Sequence, residues 1–216
     1  MVGMAGSSVQ DARQGQHPLC RAADIDGAAR PWRGVQNATP LTAPGVPVED
    51  RGMLKEGDRA PDFAGVTADG TRIGLGDYRG KQPLVVFFYP KDNTTVCTKE
   101  ACGFRDHAAE FAAAGGAVVG VSQDSQESHQ RFVQGQRLNF PLLSDRDAAI
   151  GKAFGVARLG GWLPPRRVTF VIDRDGVVRH VIASEFNADK HVDEALAAVR
   201  ALASASSGRP PAPGPR

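Results

Sequence analysis

The chain predicts an α/β layer with helices on both faces of a mixed sheet, and three observations carry that prediction. Short apolar runs rich in β-branched and aromatic residues alternate with segments of helical period. The first three runs are apolar at every position, as strands covered on both faces are. A turn sequence, Asp173 to Gly176, joins the last two runs as a hairpin.

The elements follow in order. "LVVFFY" (84–89) is a strand ended by Pro90, and "TKEACGFRDHAAEFAAAG" (98–115) is a helix. "AVVGVS" (117–122) is the next strand; "SQESHQRFVQGQ" (125–136) is a helix that Asp124 and Glu127 open as a capping box. "VTFVID" (168–173) and "VVRHVI" (177–182) are the hairpin strands. The last helix, about 188–203, places Val192, Leu196, Val199 and Leu202 in one apolar stripe. No internal repeat is present.

All of this falls between residues 53 and 203 of a 216-residue chain. Residues 1–52 hold five prolines and no sustained apolar period, and 204–216 is a Pro/Gly/Ser tail, so both are expected to be disordered. A block of this size buries roughly 68–70% of its unfolded surface, enough for one core. That block carries 19 basic and 19 acidic side chains and therefore no electrostatic footprint for nucleic acid or an anionic membrane. No run approaches the ~18 apolar residues of a membrane span or resembles a secretory signal, which makes a cytoplasmic protein the expectation.

"VVFFYPKDNTTVCTKEACGFRD" (85–106) holds two of the three cysteines, Cys97 and Cys102. A structural zinc needs four ligands in close pairs, whereas here only His107 is near and Cys20 lies in the N-terminal extension. A permanent disulfide conflicts with a helix, where positions i and i+5 lie about 8–9 Å apart between Cα atoms, beyond the ~7 Å limit. Redox chemistry suits the position better. Cys97 sits in the first helical turn, where unpaired N–H groups and the helix dipole stabilise a thiolate. Thr94 is placed to aim its hydroxyl at the sulfur, Pro90 sets the backbone at the strand end, and Cys102 is a candidate second thiol. Two small buried hydrophobes remain the plain alternative.

"YPKDNTTVCTKEACGFRD" resembles the active-site stretch of the peroxiredoxins: Pro90, Thr94 and Cys97 match the pattern P-x-x-x-T-x-x-C. Cys102, five residues on, is similar to the resolving cysteine of the Q-type, or bacterioferritin comigratory, atypical two-cysteine subfamily. The resemblance runs from about Leu54 to Ala203 through "GDRAPDF", "FPLLSD" and "RVTFVID", and it departs at Thr95 and Val96, where many relatives have Pro-Gly.

The resemblance implies a thioredoxin-like fold and a thiol peroxidase without metal or other cofactor. Cys97 would attack a peroxide and become a sulfenic acid, Cys102 would condense with it, and a thioredoxin-like donor would reduce the disulfide. It maps the family's arginine to Arg167, three residues before Phe170, with Arg166 on the opposite side of the strand, and its acidic residue to Glu100. The expected assembly is a monomer or weak dimer. A redox sensor or holdase using the same oxidation is the alternative; a thiol-disulfide exchanger would show C-x-x-C, which is absent. His107 and His129 are expected on solvated helix faces, Trp162 as a loop anchor over the core, and Cys20 as an exposed thiol.

Overall fold

The computed structural model describes residues 52–207. The expectations for the N-terminal extension up to Arg51, for Cys20 and for the tail from Gly208 lie outside the described residues. The final helix, expected to end near 203, runs to Ser207.

Seven strands, β1 (Ala64–Thr67), β2 (Arg72–Gly74), β3 (Leu84–Phe88), β4 (Ala117–Ser122), β5 (Leu142–Ser144), β6 (Val168–Ile172) and β7 (Val178–Ala183), form one sheet in the order β2-β1-β5-β4-β3-β6-β7. Its centre, β3, β4 and β5, is parallel. β6 joins β3 antiparallel, and β7 closes the hairpin through Asp173–Gly176, where the Gly176 N–H donates to the Asp173 carbonyl at 3.0 Å with φ +80°.

Every residue of β3, β4 and β6 is buried, as continuous apolar runs require, and strict alternation divides them between two cores. Val86, Phe88, Val119, Val121, Phe170 and Ile172 face a cluster with Phe63, Leu75, Ile150 and Phe154, the last two from α4 (Ala149–Ala153) and the residue after it. Val85, Phe87, Val118 and Val171 face the second cluster. It is covered by α1 (Thr95–Asp106), α2 (Ala108–Ala113), α3 (Gln126–Gln136) and α5 (Ala188–Ser207). Helices thus lie on both faces, as expected.

Three sequence expectations change. The single helix over 98–115 is two, broken at His107 (φ −95°, ψ 8°), where the Gly103 carbonyl accepts from the His107 N–H at 3.1 Å and meets its ring Nδ1 at 3.0 Å. Helix α3 is capped by Ser125, whose hydroxyl accepts from the Ser128 N–H at 3.3 Å; Asp124 is committed elsewhere, as described below. β1, β2, β5 and α4 were not predicted, because at three to five residues they are too short to display a period.

Glycine 103, a poor residue for a helix interior, lies where α1 crosses α5: a Cβ there would stand 2.9 Å from Val192 Cγ2. The close approach draws α5 onto the helix that carries both cysteines.

Candidate active site

The loop between β3 and α1 is held rigidly before the helix begins. Asp92 is buried and accepts from the Tyr89 hydroxyl at 2.7 Å and the Ser128 hydroxyl at 2.8 Å, and it pairs with His129 Nδ1 at 2.9 Å. Its own N–H donates to Asp124 at 2.8 Å, which is why Asp124 does not cap α3. His129, expected at the surface, is fully buried, its Nε2 3.2 Å from the Leu143 carbonyl. In a helix of mixed polarity its burial was masked by polar neighbours; its partner was 37 residues away. Asn93 then takes φ +57°, which turns the chain into α1.

Cys97 is the third residue of α1, a free thiol with 1% of its surface exposed. The first backbone N–H bonded across the helix start is that of Thr98, to the Thr94 carbonyl at 2.8 Å, so the N–H of Cys97 belongs to the unpaired first turn. Arg167, one residue before β6, is also buried and reaches the same point. Its Nη2 donates to Cys97 Sγ at 3.1 Å, its Nη1 pairs with Glu100 Oε2, and its Nε donates to the Glu185 carbonyl at 3.1 Å. Neighbouring Arg166 is exposed, as the alternation of strand faces requires.

Glutamate 100 lies one turn below Cys97 and is fully buried, with Oε1 making no hydrogen bond. Burial is the main cause that raises its pKa from 4.5 to about 7, against the lowering effect of the Arg167 charge. The fold therefore binds a proton that the unfolded chain releases above pH 4.5. The stabilisation from that proton is complete below pH 4.5 and is lost as pH rises toward 7. Relative to a Glu100→Gln chain, the native chain should lose up to about 3 kcal/mol of unfolding free energy over that interval, measured by denaturant titration at each pH. A difference independent of pH would contradict the raised affinity.

Other predicted residues sit differently. The Thr94 hydroxyl is exposed and donates to the Lys91 carbonyl at 3.1 Å. Pro90 is half-buried directly after Tyr89. Cys102 is buried farther along α1, its Sγ 3.9 Å from Gln136 Oε1, and it is engaged by a further partner. Trp162 does not anchor the core: it is 91% exposed. One neighbour was missed. His191, in the first turns of α5, is fully buried, its Nδ1 2.8 Å from Thr169 Oγ1 and 3.6 Å from Glu100 Oε1. Its position three residues after Ala188 and four before Ala195 puts it on the buried stripe, a signal that the spacing did contain.

Among the described residues, no group of three or more His, Cys, Asp or Glu side chains is arranged to hold a metal ion, and no helix is long and apolar enough to cross a membrane. The arrangement offers a sulfur nucleophile at a helix start with a guanidinium donor beside it.

Residues 56–181 match the AhpC/TSA family. A chloroplastic peroxiredoxin Q of Sedum lineare is 39% identical over 170 residues, spanning 77% of this chain and 90% of that protein. The crystal structure of peroxidoxin BcpB from Mycobacterium tuberculosis superposes with a TM-score of 0.66 at 44% identity, over 69% of this chain and 98% of that one. The bacterioferritin comigratory protein of Xanthomonas campestris, whose structures concern alkyl peroxide reduction, superposes with a TM-score of 0.60 at 36% identity, over 65% and 92%. The shared architecture is the thioredoxin-like fold.

Proposed function

Because the chain belongs to the AhpC/TSA family and is a peroxiredoxin of the Q, or bacterioferritin comigratory, type, we propose that Cys97 is the peroxidatic thiol and Cys102 the resolving one. The observation that carries this reading is Arg167 Nη2 at 3.1 Å from Cys97 Sγ at the start of α1. The thiolate attacks one peroxide oxygen and the O–O bond breaks. The leaving oxygen takes a proton and departs as water or an alcohol, and Cys97 becomes a sulfenic acid. Arg167 and the unpaired N–H groups of the first turn face the negative charge that grows on the oxygens. The Thr94 hydroxyl joins them by rotating from the Lys91 carbonyl.

With Cys102 in its thiol form, its sulfur displaces water from the sulfenic acid and forms a disulfide, which a thioredoxin-like dithiol reduces. Hydrogen peroxide and organic hydroperoxides are the substrates, and a reducing compartment such as the cytoplasm supplies the electrons. A steady-state peroxide consumption assay with thioredoxin and its reductase tests the reading. Multiple turnovers support it. Stoichiometric oxidation without turnover would favour a sensor.

Closing that disulfide requires α1 to unwind, since the helical Cα separation exceeds disulfide reach by roughly 2 Å. Unwinding breaks several backbone hydrogen bonds of about 0.5–1.5 kcal/mol each and uncovers Phe104, which is fully buried and stacked on Phe87 at 4.6 Å between ring centroids. Its exposure costs about 1.5–3 kcal/mol more. The oxidised chain should therefore show less helix by far-ultraviolet circular dichroism, faster amide exchange over 97–106, and a lower melting temperature than the reduced chain. Identical exchange in both states would exclude the unwinding.

A further inference from the structure

His129 of α3 ties the loop before Cys97 to the sheet, and the atoms it touches fix how many hydrogens its ring carries. Nε2 lies 3.2 Å from the Leu143 carbonyl of β5, which only accepts, so that nitrogen carries hydrogen. Nδ1 lies 2.9 Å from Asp92 Oδ2, and the hydrogen in this second contact belongs either to the ring or to the carboxyl group. Asp92 also accepts the Tyr89 hydroxyl on Oδ1 at 2.7 Å and the Ser128 hydroxyl on Oδ2 at 2.8 Å, and both donors favour the carboxylate over the acid. Burial holds the Tyr89 pKa well above 10, so its hydroxyl stays a donor. An anionic Asp92 has no hydrogen to give, which leaves the contact to a hydrogen on Nδ1. Hydrogen on both nitrogens makes the ring an imidazolium, and the buried charge is compensated by the carboxylate that it faces.

The loop beyond Asp92 inherits that anchorage. The Asp92 N–H donates to Asp124 at 2.8 Å, Asn93 turns the chain at φ +57°, and the Thr94 carbonyl accepts the Thr98 N–H at 2.8 Å where α1 begins. A loop fixed at Asp92 therefore sets where Thr94 and the unpaired N–H groups of the first turn stand.

We propose that His129 is a positioning residue, held as an imidazolium between Asp92 and the Leu143 carbonyl, and that this charged clamp fixes the β3–α1 loop in the form that receives peroxide. The clamp joins three elements at one ring: α3 supplies the histidine, β5 the carbonyl and the loop the carboxylate. It acts through Asp92 on the groups that face the peroxide oxygens. Without the ring charge, Asp92 keeps only the hydroxyls of Tyr89 and Ser128 as side-chain donors, and the loop is free to shift against the sheet.

The inference rests on Cys97 being the peroxidatic thiol, but its first test does not. Nitrogen and proton NMR of the native chain near neutral pH should show a hydrogen on each ring nitrogen of His129; a ring with one hydrogen overturns the proposal. The second test compares peroxide reduction with alkylation of Cys97 by iodoacetamide in the native, His129→Gln, Asp92→Asn and double-substituted chains. Glutamine keeps an amide donor but carries no charge and cannot span both acceptors. The His129→Gln chain should reduce peroxide about tenfold to a hundredfold more slowly, the cost of misplacing the oxygen-binding groups by up to about 1 Å. Its alkylation, which needs no such groups, should keep the native rate. Added to Asp92→Asn, the same substitution should cost little more, because both remove one clamp. Equal effects on the two reactions, including none, would make His129 a general support of the fold, and additive losses in the double variant would detach it from Asp92; either overturns the proposal. If the variants do not fold, the ring NMR of the native chain decides. A native chain that reduces no peroxide yet carries the doubly protonated ring would overturn the peroxidase reading and leave the clamp standing.

Discussion

Replacing Cys97 by serine should abolish peroxide reduction, leaving only the background rate of the buffer and the reductant. The sulfur is the atom that accepts oxygen, and a serine hydroxyl in its place is neither ionised near neutral pH nor oxidisable to an equivalent of a sulfenic acid. Cys102 cannot take over: it lies farther along α1, away from the first-turn N–H groups, with its Sγ 3.9 Å from Gln136 Oε1. The variant should fold, since serine differs by one atom, so circular dichroism and melting serve as controls. Substantial turnover with the fold intact would remove Cys97 from the mechanism.

The second large effect concerns Arg167. A thiol whose pKa falls from about 8.5 to about 6 gains roughly thirtyfold in thiolate at pH 7 but loses about tenfold to twentyfold in nucleophilicity, a net gain of only two- to threefold. Ionisation alone does not make a peroxidase, so the remainder lies in stabilising the oxygens as the O–O bond stretches. Arg167→Met should lower the peroxide rate by about 10² to 10³, as removal of a single oxyanion donor does. It should slow alkylation of Cys97 much less, because that reaction builds no charge on an oxygen. The substitution also strands buried Glu100, whose pairing with Arg167 is lost. Measuring at pH 6, where Glu100 is largely protonated, limits that penalty. Equal losses in both reactions would confine Arg167 to an effect on the thiolate.

How far the sequence disclosed this site depends on the range over which each residue acts. The strands β3, β4 and β6 were legible because they are covered on both faces and so apolar throughout. Cys97 was legible because strand end, proline, loop and helix start are contiguous. Arg167 and Glu100, 67 residues apart, met only through the resemblance to a family; no local pattern pairs them. His129 was opaque for a related reason: a histidine reads as polar, and its burial becomes visible only once Asp92 and the Leu143 carbonyl are folded against it, whereas His191 shares the spacing of buried Ala188 and Ala195. Gly103 offered a clue of another kind: a glycine inside a helix makes sense once Val192 is seen against it.

The central claim, that one peroxide oxidises Cys97 and is resolved within the same helix, is tested most directly by titrating the fully reduced chain with hydrogen peroxide and mapping its peptides. The account predicts that one equivalent of peroxide removes two thiols and yields a Cys97–Cys102 disulfide peptide, while Cys102→Ser yields a trappable sulfenic acid at Cys97. A disulfide that joins either residue to Cys20 instead, or a Cys97 that stays reduced after one equivalent, would contradict it.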